Sequence, residues 1–180
     1  GVVSSLSQIP TGDVWPLVDI EAHKQLIESA GLVWSVVESV PLHNDIKTRS
    51  GHYRHLISNY QKTLINLGAA GIHTVCYNFM PVVDWTRTNL EYVLPDNSQA
   101  LRFDIVDFAV YDIFVLQRSG ATDSYDKAVV EGARARFEGL DQPAVAALEN
   151  NIIAGLPGGE GSYDRAGVLA AINHFNQFDN

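Results

Sequence analysis

Two short stretches gather side chains that could bind a ligand or move a proton. Glu38 and Ser39 run into a segment with His43, Asn44, Asp45 and Lys47, and Tyr77 and Asn78 lead to Asp84, Trp85 and Arg87. Carboxylate, hydroxyl, imidazole and carboxamide groups are the donors and acceptors a hydroxylated ligand needs; a guanidinium grips a carboxylate with two parallel bonds, and an indole covers the apolar face of a sugar. The chemistry such a set suits is recognition of a polar small molecule, and no single reaction follows from it. Each residue also has a plainer use. Glu38 could pair with a basic side chain, Tyr77 and Asn78 could cap a strand, Trp85 and Arg87 could stack to hold a loop, and His43 could sit solvated.

Other reactive residue types carry less. Cys76 lies inside an apolar run with no basic neighbour and reads as a structural thiol. His73, near the start of the same run, reads as a core or bottom-face histidine. His52 and His55 are three apart, a spacing metals use, but neither H-E-x-x-H nor a third ligand accompanies them. His23 and His174 fall on helical faces and read as packing residues. GLPGGEG (155–161) lacks the Lys and Ser/Thr of a phosphate loop, and no G-x-S-x-G elbow occurs.

The elements that must position these residues follow from apolar periodicity. Gly1–Leu6 predicts a strand and Pro10–Pro16 a loop. Asp19 is the expected N-cap of a helix carrying Ile20, His23, Ile27 and Ala30, with a Lys24–Glu28 pair and Gly31 as its stop. Leu32–Val40 predicts a strand buried on both faces, closed by Pro41. Tyr53, Leu56, Ile57, Tyr60, Leu64 and Leu67 mark a second helix ending near Gly68 or Gly71, and Ile72–Met80 predicts a third buried strand before Pro81. Glu91–Arg102 reads as a hairpin around Pro95, Asp96 and Asn97. Asp104 caps a third helix over Ile105–Leu116. From Ala121 on, helices are expected over Asp126–Leu140 and Pro143–Ile153, and a last one around Val168, Leu169, Ile172 and Phe175.

This is a βαβαβα order, the pattern of an α/β parallel sheet. SLSQIPTGDVW is no dinucleotide or phosphate turn, so a (β/α) barrel is favoured over an open nucleotide sheet. Three units occupy residues 1–120 at about 40 residues each, whereas eight would need roughly 320. The chain is therefore expected to be a partial TIM barrel, with residues 121–180 as an α-helical insertion of the same domain, and a piece of something larger. In both strands that carry the polar set, those residues stand at the carboxyl end, where such folds place their ligands.

Composition bounds the partners. The 180 residues are 46% hydrophobic and 18% charged, which suits a globular domain and excludes disorder and fibrous repeats. Twelve basic against 21 acidic residues give a formal charge of −9, with no electrostatic footprint for nucleic acid or an anionic membrane. Apolar runs fall short of a membrane span, and a single cysteine fits a reducing cytoplasm.

At strands two and three the chain resembles a known family. VVESVPLHNDIK (Val36 to Lys47) and TVCYNFMPVVDWTRTNLEYVLPDNSQALRFD (Thr74 to Asp104) closely resemble bacterial mannonate dehydratase, and LVWSVVESVP and NIIAGLPG agree with it. The resemblance implies the N-terminal half of a xylose-isomerase-like TIM barrel acting in hexuronate (glucuronate) catabolism. It also implies a lyase that converts D-mannonate to 2-keto-3-deoxy-D-gluconate and water with Mn(2+) or Fe(2+), in the cytoplasm and as a homo-oligomer. Such a dehydration removes the proton α to the carboxylate and expels the neighbouring hydroxyl, a cation stabilising the enediolate-like charge. Glu38, Ser39, His43, Tyr77, Asn78, Trp85 and Arg87 are the expected substrate-lining positions. The implied metal ligands, a His, Cys, His and Asp set, and the implied catalytic Arg and Tyr belong to a C-terminal half these residues do not include. No metal ligand or catalytic residue is therefore assigned, Cys76 is not the ligand cysteine, and the piece alone is expected to be inactive. Ser7 stands where the family's pattern has His. Two other readings share the pattern: a metal-dependent barrel sugar isomerase or epimerase, and a non-catalytic half-barrel that binds sugar acids or self-associates.

Overall fold

In the computed structural model, which describes residues 1–83, 86–154 and 164–178, the opening apolar run becomes β1 (Val2–Ser4), parallel to β2 (Trp34–Val37) with Val2 opposite Trp34 and Ser4 opposite Val37. Helix α1 (Leu17–Ser29) connects them. It starts two residues before the expected Asp19 cap, because Pro16 already holds the extended N-cap conformation; Asp19 instead lies in the first turn, where a carboxylate suits the helix dipole. Lys24 and Glu28 do pair, at 3.7 Å, and Gly31 with φ +73° ends the helix as expected.

The short α2 (Asn44–Thr48) and the long α3 (Tyr53–Ala69) follow. The third strand is much shorter than its apolar run. Only Val75 bridges Val37 in parallel, through bonds from the Val37 amide to the Thr74 carbonyl (3.0 Å) and from the Cys76 amide to the Val37 carbonyl (2.9 Å). Among the described residues this segment pairs with β2 alone, and only at this bridge. Burial on both faces is likewise not observed: Val3 is 55% and Val33 60% exposed, while Val37 is fully buried. One face of the small sheet packs with Leu6, Trp15, Ile20, Leu67 and Ile72 into a core. Trp15 is fixed there by its amide donating to Thr63 Oγ1 (3.0 Å) and by Asn66 Nδ2 donating to its carbonyl (2.8 Å). All of this lies within one compact unit, Gly1–Pro81.

The second unit, Val82–Asn180, opens with the hairpin the sequence predicts. Strands β3 (Asn89–Val93) and β4 (Gln99–Arg102) pair antiparallel, and Asn97 adopts φ +65° at the turn. Asp104 caps α4 (Ile105–Val110) by accepting from the Val106 and Asp107 amides. The helix then widens into a π-helical stretch, Tyr111–Val115. Helices α5 (Lys127–Glu138), α6 (Gln142–Ala154) and α7 (Arg165–Phe175) pack around these elements, burying Val110, Tyr111, Ala133, Ile152 and Val168. The residue 120/121 boundary expected from the change of pattern lies inside this unit. Among the described residues no helix is long and apolar enough to cross a membrane.

Candidate functional site

The polar strand ends of the first unit are built by an abrupt change from backbone to side-chain bonding. The last sheet bond from β1 runs from the Glu38 amide to the Ser4 carbonyl, at 3.2 Å. Beyond it, Ser5 Oγ donates to the Ser39 carbonyl (2.8 Å) and Asn78 Nδ2 donates to Ser39 Oγ (3.1 Å). Three consecutive parallel segments are thus joined at their carboxyl ends by hydroxyl and carboxamide groups. Beside this row the Glu38 side chain is exposed, and the Glu38–Ser39 peptide is cis.

Sequence reasoning placed Glu38, Ser39 and Asn78 at strand tips, and the structure joins Ser39 and Asn78 by a hydrogen bond while the Glu38 side chain is exposed. It did not single out Ser5, whose position two residues past Val3 puts it on the same side of the first strand; the signal was simple alternation, hidden by the shortness of the apolar run. Tyr77 turns to the opposite face from Asn78. It is 67% exposed and lines a trough of about 460 Å³ with Leu42, Tyr60, Leu64, Ile72 and Val75. There burial, and next the Tyr77 phenol, push the Tyr60 hydroxyl above its ordinary range. His73 is exposed and borders the same trough, which rules out the core reading and leaves the bottom-face one.

His43 has a definite structural task. As N-cap of α2 its Nδ1 accepts from the Asp45 amide at 3.1 Å, and Asp45 Oδ1 stands 3.7 Å from the same nitrogen. In the neutral ring Nε2 therefore carries the proton and is a donor. Asp45 Oδ2 in turn accepts from the His52 amide (3.3 Å), with Gly51 at φ +52° packed so closely that a Cβ would strike the carboxylate. His43 also borders a narrow cleft with Pro10, Gly12, Trp15, Val40 and Tyr60. His23 packs as expected, edge-on to Trp34, and adds a 2.8 Å bond to Ser4 Oγ.

In the second unit, Arg87 Nη1 donates to the Thr86 carbonyl at 2.9 Å; Trp85, its expected companion, lies outside the described residues, as do Asp84 and GLPGGEG. Thr88, which sequence reasoning passed over, is nearly fully buried and joins three elements. Its amide and hydroxyl donate to the Arg102 carbonyl, its Oγ1 accepts from the Asp104 amide, and its carbonyl accepts from Asn151 Nδ2. No adjacent signal distinguishes this threonine from Thr86.

A metal centre needs three or more converging His, Cys, Asp or Glu side chains, and among the described residues none converge in that way. The residues present therefore do not fit a bound cation, and the partly buried Cys76 stands as a free thiol. What the arrangement can do is bind: a carboxylate, a hydroxyl and a carboxamide at one strand edge suit a ligand rich in hydroxyl groups.

Comparison with known proteins gives this site its context. The family model described as D-mannonate dehydratase (UxuA) matches residues 1–179. The mannonate dehydratase of Saccharophagus degradans is 58% identical over 175 residues, 97% of this chain and 44% of that protein. That of Chromohalobacter salexigens is 49% identical over 179 residues, 99% and 46% respectively. A crystal structure of mannonate dehydratase from Streptococcus suis serotype 2 superposes with a TM-score of 0.55 at 38% identity, covering 88% of this chain and 41% of that one. The chain spans less than half the length of the relatives it matches. With a family model that spans all but the last residue and relatives near half identity along almost its whole length, the chain belongs to the D-mannonate dehydratase family.

Proposed function

We propose that this chain forms the first part of a D-mannonate dehydratase, a hydro-lyase that yields 2-keto-3-deoxy-D-gluconate in hexuronate catabolism. The observation that carries the reading is the family match over residues 1–179. On this reading the parallel β1, β2 and Val75 segments are the first three strands of a xylose-isomerase-like TIM barrel. The Ser5, Glu38, Ser39 and Asn78 row then lies at its carboxyl-end face, where such barrels hold their substrates. The enzyme is cytoplasmic, self-associates, and takes Mn(2+) or Fe(2+) through residues other than those described.

The part played by this chain is to hold the open-chain sugar acid. Glu38 accepts from substrate hydroxyls, and Ser39 and the Nε2 of His43 donate to substrate oxygens. Tyr77, exposed at the trough beside Tyr60 and Leu64, stays a substrate-lining position on this reading.

Two preparations test this. The 180-residue chain alone with manganese is expected to leave D-mannonate unchanged. A chimera in which the chain replaces the matched 175-residue stretch of the Saccharophagus degradans relative is expected to release 2-keto-3-deoxy-D-gluconate, detected by its periodate–thiobarbiturate colour. A folded, metal-loaded chimera without turnover would overturn the dehydratase reading. Turnover by the chain alone would overturn its assignment as a binding part.

A further inference from the structure

We infer that the Ser5–Ser39–Asn78 row orients a hydrogen bond: it leaves the Ser39 hydroxyl proton free to be donated to an anionic or hydroxyl oxygen of the ligand, with Ser5 and Asn78 as positioning residues. This rests on the proposed sugar-acid site and specifies how it recognises its substrate.

A serine hydroxyl has one proton to give and lone pairs to receive with, and in a free side chain it rotates to suit either role. Here rotation is constrained. The Asn78 carboxamide donates to Ser39 Oγ at 3.1 Å, so a lone pair is already occupied and the proton must go elsewhere. Among the described residues nothing accepts it. The backbone that carries the hydroxyl is held separately, by Ser5 Oγ donating to the Ser39 carbonyl at 2.8 Å, one residue past the last sheet bond. Two bonds from two different segments therefore hold the backbone that carries this hydroxyl and turn its proton away from Asn78.

A donor held in place is what gives selectivity. The Ser39 proton is met by a ligand that presents an oxygen acceptor, which an aldonate does with its carboxylate and along its hydroxyl chain. An alkyl chain would leave that proton unpaired, at a cost that a prearranged polar site turns into rejection.

The test uses the chimera described above. Ser39→Ala is expected to raise KM for D-mannonate about tenfold, as loss of one donor to a charged or strongly polar oxygen does, with kcat changed far less. Ser5→Ala is expected to raise KM about threefold, and Ser5→Thr, which keeps the hydroxyl, to return it to the parent value. Melting temperatures of all three are expected to stay within a few degrees of the parent. Parent turnover with an unchanged KM in Ser39→Ala overturns this inference and leaves the dehydratase reading standing. Equal loss in Ser5→Ala and Ser5→Thr with a lowered melting temperature also overturns it, because the role would then be structural. A folded chimera that never turns over D-mannonate overturns the dehydratase reading, and this inference with it.

Discussion

Asp112 carries more of the second unit than its neighbours in sequence suggest. It is 4% exposed, and its carboxylate accepts two bonds from Arg118, from Nε at 2.8 Å and from Nη2 at 2.6 Å, and one from the Tyr125 hydroxyl at 2.8 Å. Asp112→Ala leaves Tyr125 without its acceptor and Arg118 with the Ser124 hydroxyl alone, at 3.1 Å. Since Arg118 keeps some solvent, the expected loss is about 2 kcal/mol, below the figure for a wholly buried pair, read from urea unfolding. The tyrosines add a pH dependence. Burial pushes the Tyr111 hydroxyl up to about 12, and burial followed by the bond to Asp112 pushes Tyr125 higher still. A phenol whose folded pKa exceeds its unfolded value of about 10 binds its proton more tightly when folded, so its contribution is complete below pH 10 and is lost as pH rises toward the folded value. Urea midpoints are expected to be level up to about pH 9.5 and to fall steeply by pH 11. In Tyr111→Phe that fall should be smaller, and an unchanged fall would show the phenol titrating as it does in the unfolded chain. None of this network was legible in the sequence, because Asp112 and Arg118 meet across a π-helical stretch, where ordinary helical spacing does not apply.

At the scale of elements the legible parts were those with a local cause. The hairpin around Pro95–Asn97, the Asp104 cap, the Gly31 stop and the Lys24–Glu28 pair all arise within a few residues, and the structure shows each of them. The third strand was overread because continuous hydrophobicity reports burial and not backbone pairing, and among the described residues this run pairs only where Val75 bridges Val37. The stripe on α3 predicted the helix, Tyr53–Ala69, but not all of the side chains it buries. Thr63 and Asn59 are buried there, and Ile57 and Leu64 are more exposed, since hydroxyl and carboxamide side chains are needed to hold the Trp15 and Gly12 backbone. Thr88 and Asp104 supply the test at this scale. Asp104→Ala removes the cap of α4 and is expected to cost about 1 kcal/mol. Thr88→Val keeps the shape but removes the hydroxyl that both donates to Arg102 and accepts from the Asp104 amide, and is expected to cost somewhat more, about 1.5 kcal/mol. Hydrogen exchange should show the loss at the amides of Asp104, Val106 and Asp107; protection unchanged there in both variants would mean that the hairpin and helix are not joined through these bonds.

For the whole molecule, charge and family point in different directions about metal, and the difference is measurable. A net charge of −9 draws divalent cations toward the surface as a diffuse atmosphere, which 0.15 M salt largely screens beyond about 8 Å. A specific centre is another matter: it needs three or four converging ligands and holds its ion against that screening. The family resemblance was legible from two sequence blocks, yet those blocks contribute Glu38, Ser39 and Asn78 at one strand edge and no converging ligand set among the described residues. Titration of the 180-residue chain with Mn(2+), followed by the loss of the free-ion electron paramagnetic resonance signal, is therefore expected to show only weak uptake that disappears on adding salt. The chimera with the remainder of the Saccharophagus degradans relative is expected to bind one ion per chain, unaffected by the same salt. Stoichiometric, salt-resistant uptake by the chain alone would place the cation among its own residues and would require Glu38 or Cys76 to be reconsidered as ligands. Binding by the chimera alone would place the cation on residues outside this chain.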